Sequence, residues 1–258
     1  MSMTRLATPP TSNRWFSSKR YVHGGGGLSH KIRALLRETA QPVTVVTSLM
    51  PDLKPTSPSI QSRPSLSTFH GATLSSFTSI SMTPHHLVAF SLRVPSRMAT
   101  TLRDLSAAAS FSSTHMVINL LAAPQAHAAI LFSRPDLHSH PFEDPDIQWS
   151  LSPDGLPILH GCLGALSCRV VGAPWRLNDL AALGDKLVSK VERTRDSANV
   201  DDVESELFIA QVIRVEDVPK AKGVVDDSLR TLPLVYHRRG YATTSLNFLL
   251  NQEASTKE

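Results

Sequence analysis

The amino-acid sequence predicts a mainly β protein with a few peripheral helices, in which antiparallel strands form a barrel. Two observations lead to this prediction. Six or seven short segments rich in β-branched and apolar residues are separated by two or three amphipathic segments, and the connections are too irregular for repeated strand–helix–strand units. Hydrophobic residues make up 41% and charged residues 19% of the 258 residues, which is ordinary usage for a globular chain.

The first 37 residues differ from the rest of the chain in charge. They carry seven basic residues and no acidic residue, whereas the remainder has 19 basic and 22 acidic residues. An arm that is rich in Arg, Ser and Thr, free of acids and without a long apolar core is typical of an organellar transit peptide. We expect residues 1–30 to be a transit peptide and flexible linker, cleaved near Phe16, that directs the protein to the mitochondrial matrix. A disordered basic tail is the alternative.

The composition of the body argues against three other features. The longest apolar stretch, Met116–Phe132, is interrupted by polar residues and a proline, so we expect no membrane span. If Cys162 and Cys168 lie on one strand, they are about 20 Å apart along it, which is too far for a disulfide. The body has a net charge of −3 and aromatic residues are 6% of the chain, so we expect no nucleic-acid partner.

The first half of the body alternates strands with one insertion. A short amphipathic helix over His30–Thr39 ends before a proline, and Val43–Thr47 follows as a β-branched strand. Residues 51–68 contain four prolines and five serines, so we expect an exposed loop there. His70–Ser81 is expected to be extended, and Leu87–Leu92 is an apolar run typical of a strand that is buried on both faces.

The second half contains the other predicted helices and the last strands. Ser96 is an N-cap candidate, because its hydroxyl can accept a hydrogen bond from a free amide in the first turn of the helix that follows. The remaining elements follow in chain order: a strand at Met116–Leu121, a helix at Pro124–Phe132, a loop over 135–157, a strand at Leu163–Val171, an amphipathic helix at Leu177–Val191, a strand at Ser205–Val215 and a last strand at Leu234–Tyr241.

The stretch from Gly71 to Pro84, Gly-Ala-Thr-Leu-Ser-Ser-Phe-Thr-Ser-Ile-Ser-Met-Thr-Pro, resembles the signature of the flavin reductase-like family of FMN-binding split barrels. The resemblance covers about Leu36 to Tyr241. It implies an antiparallel split β-barrel of Greek-key type over residues 31–245, followed by a tail at 246–258. Further segments resemble the family in the same order: Leu87–Leu92 with Ser96-Arg97, Val117–Ala122, Gly164–Val170, Phe208–Val212 and Pro233–Tyr236.

The resemblance also implies the cofactor flavin mononucleotide (FMN), with FAD as the alternative, and NADH or NADPH as co-substrate. FMN has a phosphate, a polyhydroxylated chain and a flat ring with a polar edge, so it needs many small hydrogen-bond donors. The apolar residues between the hydroxyl side chains of this stretch, Leu74, Phe77 and Ile80, are expected to enter the core. A polar edge strand is the alternative interpretation of the stretch. The side chains expected to bind the cofactor are Thr73, Ser75, Ser76, Thr78, Ser79, Ser81, Ser96 and Arg97.

The sequence departs from the family at Val203-Glu204-Ser205, where bacterial members commonly have Gly-Asp-His. The chain therefore lacks the imidazole that the family places near the nicotinamide, and no catalytic side chain is identified. Residues 173–204 form a charged helical insertion where the family has a short loop. We expect a flavin reductase-like oxidoreductase that passes hydride from NAD(P)H to flavin. A degenerate barrel that serves as a binding or assembly subunit is the alternative.

We also expect a homodimer and no metal site. The family's split barrels pair with the flavin at the subunit boundary, and the apolar strands exceed what one small barrel interior would absorb. Tyr241 or Arg238 of a second chain is expected to help close the site, and the predicted helix at Leu177–Val191 is the competing cover. Four histidines have no ligand spacing with cysteines or acids, namely His85, His86, His115 and His127.

Overall fold

The computed structural model describes residues 27–50, 69–108, 114–135, 137–178, 204–221 and 227–244. The chain divides into two compact units, residues 1–36 and 37–258. In the first unit, helix α1 (Leu28–Leu36) has no buried side chain. The predicted transit peptide up to residue 26, the 51–68 insertion, residues 179–203 of the second insertion and the tail at 246–258 lie outside the described residues.

The second unit contains all the described strands and two further α-helices, α2 (Arg97–Ala107) and α3 (Ala126–Ser133). The strands are β1 (Gln41–Pro42), β2 (Thr44–Leu49), β3 (Phe69–Leu74), β4 (Thr78–Ser81), β5 (Leu87–Val94), β6 (Met116–Leu120), β7 (Trp149–Leu151), β8 (Pro157–Leu159), β9 (Gly164–Val170), β10 (Trp175–Arg176), β11 (Glu204–Glu216), β12 (Leu234–His237) and β13 (Gly240–Thr243).

Eight strands form one antiparallel sheet in the order β3-β2-β6-β9-β11-β5-β4, with β10 paired to β11. β3 and β4 are the two edges, although only residues 75–77 separate them in the chain. The sheet therefore curls until its ends approach each other, and the Ser91 amide of β5 donates to Oγ of Ser76 at 2.9 Å. This curled half-barrel confirms the predicted mainly antiparallel barrel with peripheral helices. Two small sheets, β1-β12-β13 and β7-β8, complete the unit.

Two apolar clusters hold the helices on the sheet. In the first, the rings of Phe90 and Phe208 are stacked with centroids 5.5 Å apart on paired positions of β5 and β11, and Met98 of α2 packs in the same cluster. In the second, Phe132 of α3 packs edge-on against Phe142 with ring centroids 5.1 Å apart. Aromatic pairs of this geometry add to the stability that burial provides. Burial of Met98 and Phe132 in these two clusters holds α2 and α3 against the rest of the unit.

The start of α2 agrees with the sequence prediction. Ser96 has an extended backbone, and its Oγ accepts a hydrogen bond from the Ala99 amide at 3.1 Å, which makes it the N-cap. α3 follows a 3₁₀ turn at Ala123–Gln125, where the Gln125 side chain accepts a hydrogen bond from the Ala122 amide at 2.9 Å. Local hydrogen bonding therefore fixes where both helices begin.

The last predicted strand, Leu234–Tyr241, is wrong as a single strand. The chain reverses at Arg238 and Arg239, whose φ values of 51° and 66° form a two-residue turn between β12 and β13. Such turns usually carry Asn or Gly where φ is positive, so two arginines gave no turn signal. The hairpin places Tyr236 directly opposite Tyr241.

The loop predicted over 135–157 is wrong in part. It contains a 3₁₀ turn at Pro141–Glu143 and strand β7, which pairs with β8. Ile158 of β8 packs with Val117 of β6 and Ala165 of β9 in a third apolar cluster. The chain thus buries, within itself, part of the apolar surface that the sequence analysis assigned to a dimer interface.

The structure corrects two further predictions, one in the polar stretch Gly71–Pro84 and one in the insertion over residues 173–204. Leu74 is buried and Phe77 packs on the core as expected, but Ile80 is 47% exposed, because β4 is an edge strand. Of the helix predicted at Leu177–Val191, only Leu177 and Asn178 are described, and they form a turn after β10. No helix in the described ranges is long and apolar enough to cross a membrane.

Candidate functional site

A cavity of about 850 Å³ lies beside the seam between β3 and β5. Its described walls come from segments that are far apart in the sequence: most of β3 with residues 75–76, the end of β5, the start of α2, the end of α3, Ser205 of β11, and the β12–β13 hairpin. The curl of the sheet brings the first three together. The cavity is therefore a product of the fold rather than of one continuous motif.

The structure brings five of the eight predicted cofactor-binding residues to this cavity: Thr73, Ser75, Ser76, Ser96 and Arg97. Thr78, Ser79 and Ser81 do not line it, because β4 pairs with Leu87–Ala89, whereas the cavity lies at the other end of β5. The three β4 side chains make only local hydrogen bonds. Thr78 donates to the Ser79 carbonyl at 3.3 Å, and Ser81 donates to the Thr83 carbonyl at 3.2 Å.

The hydroxyls at the cavity are not equivalent. Thr73 donates to the Ala129 carbonyl at 2.7 Å and so ties β3 to α3. Ser76 donates to the Ser91 carbonyl at 3.2 Å and holds the seam. Ser75 is exposed and makes no hydrogen bond to another described residue, so its hydroxyl is available to a ligand. The hydroxyls of Thr73 and Ser76 therefore stabilise the cavity wall, whereas the hydroxyl of Ser75 is available to a ligand.

The cavity is electropositive. The first turn of α2 presents free backbone amides and the positive end of the helix dipole, and Arg97 stands at its first position. Arg93 at the end of β5 also lines the cavity, and both guanidinium groups are exposed with no ion pair to a described residue. No carboxylate is among the described lining residues. A site with this charge favours an anionic ligand.

His70 is a cavity residue that the sequence analysis did not single out. It lies on β3 immediately before Gly71, and the pKa of its imidazole is lowered to about 4 by burial and by the nearby charge of Arg97. The side chain is therefore neutral near pH 7. Its position beside the Gly-Ala-Thr segment was the only sequence signal, and a single histidine at the start of a strand carries little information.

Replacement of His70 by Gln is expected to make stability less sensitive to acid. The unfolded chain takes up a proton on His70 near pH 6.5 and the folded chain only near pH 4, so stability falls as pH decreases through that interval. Between pH 7.5 and pH 5 the wild type should lose about 2 kcal/mol more than the variant. Urea unfolding at both pH values measures this, with His85→Gln as an exposed control. Equal losses in wild type and His70→Gln would contradict the assignment.

Aromatic side chains form another part of the wall. Tyr236 and Tyr241 face each other with ring centroids 5.6 Å apart and interplanar angle 64°, and Phe132 also lines the cavity. Burial, followed by the influence of Tyr236, raises the pKa of Tyr241, so its phenol stays protonated at neutral pH. Tyr241 was expected from a second chain, but it lines the cavity of its own chain. The rings offer an apolar surface for a flat ligand.

Ser205 lines the cavity. It occupies the position at which bacterial members of the flavin reductase-like family commonly have histidine. It is the antiparallel partner of Arg93, since β11 pairs with β5 in this register. The neighbouring Glu206 is nearly fully buried and contacts Arg103 of α2, with both carboxylate oxygens 2.7 Å from the same guanidinium nitrogen. This ion pair joins α2 to β11, the two elements that carry Arg97 and Ser205.

A cluster outside the cavity consists of His127, Asp144 and Asp146, whose ligand atoms lie within 4.8 Å of one another. The sequence around His127 shows no metal-ligand spacing, because the two acids are distant from it in the chain. His127 Nε2 lies 3.5 Å from Asp144 Oδ2, and the Asp146 amide donates to Asp144 Oδ1 at 2.9 Å. The ion pair and the turn account for this geometry, so we assign no metal to it.

Residues 36–245 match the family model described as "Flavin reductase like domain". The solved structures that resemble this chain include the NADH:FAD oxidoreductase SgcE6 of Streptomyces globisporus C-1027, with 18% identity, coverage of 86% of this chain and 96% of that chain, and a TM-score of 0.52. The styrene monooxygenase flavin reductase SMOB of Pseudomonas putida S12 has 19% identity, covers 84% and 98%, and has a TM-score of 0.51. At these identities the likeness shows the fold.

Proposed function

Because this chain belongs to the flavin reductase-like family, we propose that it binds FMN in the cavity and is an oxidoreductase that passes hydride from a nicotinamide nucleotide to the flavin. The observation that carries this proposal is the cavity at the start of α2, with hydroxyls and two guanidinium groups but no carboxylate among its described lining residues. That donor set matches a ligand with a phosphate and several hydroxyls. FAD remains the alternative cofactor.

The residues present fit FMN in three respects. Arg97 and the free amides of the first turn of α2 would hold the phosphate. The Ser75 hydroxyl would bind the polyhydroxylated chain, and the two tyrosines offer an apolar surface to the ring. Bound flavin would supply the hydride acceptor, and the protein contributes position and electrostatics. His70, neutral at pH 7, can donate or accept a hydrogen bond without adding charge.

Flavin titration of the purified protein tests the proposal. The wild type is expected to quench FMN fluorescence, and Arg97→Gln should weaken FMN binding by about 10–100-fold, because a hydrogen bond to a charged group contributes about 1.5–3 kcal/mol. Riboflavin lacks the phosphate, so its weaker binding should change little in the same variant. Lys220→Gln removes an exposed charge that does not line the cavity and is the control. A wild type that ignores FMN, FAD and riboflavin would refute the proposal.

A second function is favoured by Ser205, which supplies no imidazole at the cavity. A flavin-binding barrel without reductase activity would serve as a binding or assembly subunit. Oxidation of NADH and of NADPH by the FMN-loaded protein discriminates between the two functions. Turnover that depends on added flavin supports the reductase, and flavin binding without oxidation of either nucleotide supports the subunit.

We further propose that the protein is a homodimer. Val215 and Ile213 lie two residues apart on β11 and are both apolar and exposed, at 71% and 45%. A two-fold interface would bury such side chains. Light scattering on protein that lacks about the first 30 residues gives the oligomeric state. A monomer at micromolar concentration with FMN bound would rule out the dimer, and Val215→Asp should convert a dimer of this kind to monomers.

The mitochondrial matrix is the proposed location, and its support is the acid-free basic arm. Simultaneous replacement of Arg5, Arg14, Lys19 and Arg20 by glutamate should leave the protein in the cytosol. A wild-type chain that never reaches mitochondria, or a variant that is imported normally, would show that the arm has another role.

A further inference from the structure

We propose that helix α1 binds the surface of an anionic lipid bilayer and lies in the plane of the interface between lipid and water. The proposal does not depend on the flavin assignment, because the residues of α1 are not among the described residues that line the cavity. It concerns an apolar helix face that the described part of the chain leaves exposed.

The apolar side chains of α1 lie on one side of the helix. With about 100° of rotation per residue, Leu28, Ile32 and Leu35 fall within an arc of about 60°. Leu36 widens the arc to about 100°, which is the width of the apolar stripe of an amphipathic helix. Leu28, Ile32 and Leu35 are 74%, 47% and 63% exposed. The helix therefore presents a complete apolar face to the surroundings of the protein.

The length of α1 indicates what can cover this face. A helix of nine residues is marginal in water by itself, because most of the stability of a protein helix comes from packing of its apolar face. The described residues bury no side chain of α1, so a covering surface outside them would stabilise the helix. At 1.5 Å per residue α1 is about 14 Å long, whereas the core of a bilayer is about 30 Å thick. On a membrane the helix can only lie along the surface.

The charge pattern of α1 favours an anionic surface. Lys31 and Arg33 project from the two sides of the apolar arc, are exposed, and form no ion pair with another described residue. Arg37 follows the helix, and residues 1–37 contain no acidic residue. Long basic side chains in these positions can reach lipid phosphates while the apolar face enters the headgroup boundary. A protein groove would cover the leucines but would not require basic residues on both sides.

Vesicle co-sedimentation of the full chain tests the proposal. The basic arm before α1 also attracts anionic lipid, so every sample carries glutamine in place of Arg5, Arg14, Lys19 and Arg20. This protein should bind vesicles of phosphatidylcholine with about 30% phosphatidylglycerol at least about tenfold more tightly than vesicles of phosphatidylcholine alone. Salt at about 0.5 M should remove most of the preference, because it screens the attraction between exposed charges.

Two matched pairs of variants assign the binding to α1. Leu35→Glu should weaken binding to the anionic vesicles by about tenfold or more, because it places a carboxylate on the apolar face. Leu137→Glu changes a leucine that is equally exposed, at 64%, and should have little effect. Lys31→Gln should weaken binding by about fivefold, the contribution of one basic side chain near an anionic surface. Lys220→Gln removes an exposed charge elsewhere and should leave binding unchanged.

The outcomes separate this proposal from the others. Failure to bind either kind of vesicle, or equal binding to both, would overturn it, and the apolar face of α1 would then belong to a protein partner. Equal losses in Leu35→Glu and Leu137→Glu would also overturn it, because the contact would then lie outside α1. FMN binding should be the same in all four variants. A wild type that does not bind flavin refutes the proposed function and leaves the vesicle result as it stands.

Discussion

Gly71→Ala is expected to destabilise the protein by about 3 kcal/mol and to collapse FMN binding, because a methyl group has no room at this position. A Cβ on Gly71 would lie 2.6 Å from Cε1 of Phe132 and still closer to Cδ1. Phe132 is 2% exposed and packs edge-on against Phe142, so a shift of its ring away from the new methyl group would disrupt that packing or narrow the cavity that the ring lines. The strain would displace β3 from α3 at the cavity wall.

Two variants make this result interpretable. Gly164→Ala adds the same methyl group to β9, where nothing lies within 4 Å of the new atom, so its stability should stay within about 0.5 kcal/mol of wild type. The double variant Gly71→Ala with Phe132→Leu removes the ring and should recover part of the loss. Chemical denaturation gives all three values. An unchanged unfolding midpoint for Gly71→Ala alone would show that the contact with Phe132 is not a constraint.

Arg103→Met is expected to cost about 3 kcal/mol, because it leaves a buried carboxylate without its main partner. The Glu206 side chain is 4% exposed, and Arg103 contacts both of its oxygens. The remaining cation, Arg176 of β10, lies 3.9 Å away and is largely exposed. Since Arg103 itself is 37% exposed, we place the expected cost at the lower end of the range for broken buried ion pairs.

Removal of both charges shows whether the loss of stability comes from leaving Glu206 buried without a partner or from losing the attraction between the two side chains. The double variant Arg103→Met with Glu206→Met should be close to wild type in stability, since replacing a whole buried ion pair by apolar side chains is often neutral. Arg238→Met is the exposed counterpart, because its ion pair with Glu38 is about half exposed on both sides, and it should cost less than about 1 kcal/mol. A double variant as unstable as Arg103→Met would contradict this account.

The sequence revealed those parts of the site that lie together in the chain. Thr73, Ser75 and Ser76 form one run, and Ser96 with Arg97 carries the local signal of a helix start, so both groups could be predicted. The predicted site also includes Thr78, Ser79 and Ser81, which do not line the cavity. Residues 75–77 carry the chain from one edge of the sheet to the other, and a hydroxyl pattern cannot indicate that the strand crosses the seam.

The rest of the site depends on pairing between distant strands. Arg93 and Ser205 become neighbours only through the register of β5 with β11, and Tyr236 reaches the cavity through a hairpin whose turn residues are arginines. Neither the register nor a glycine-free turn of positive φ has a clear sequence signature. Strand positions were easier to predict, because apolar runs such as Met116–Leu121 report burial directly.

The position of β11 within the sheet determines when the protein can acquire its site during synthesis. β11 is the only strand that joins β9 to β5, so the described sheet without it consists of two pieces, β3-β2-β6-β9 and β5-β4. The ribosome must therefore synthesise more than three quarters of the chain before the pieces can be joined, and until then β9 and β5 both present open edges. A chain terminated before residue 204 would accordingly leave two sheet fragments with open, aggregation-prone edges rather than a less stable form of the complete sheet.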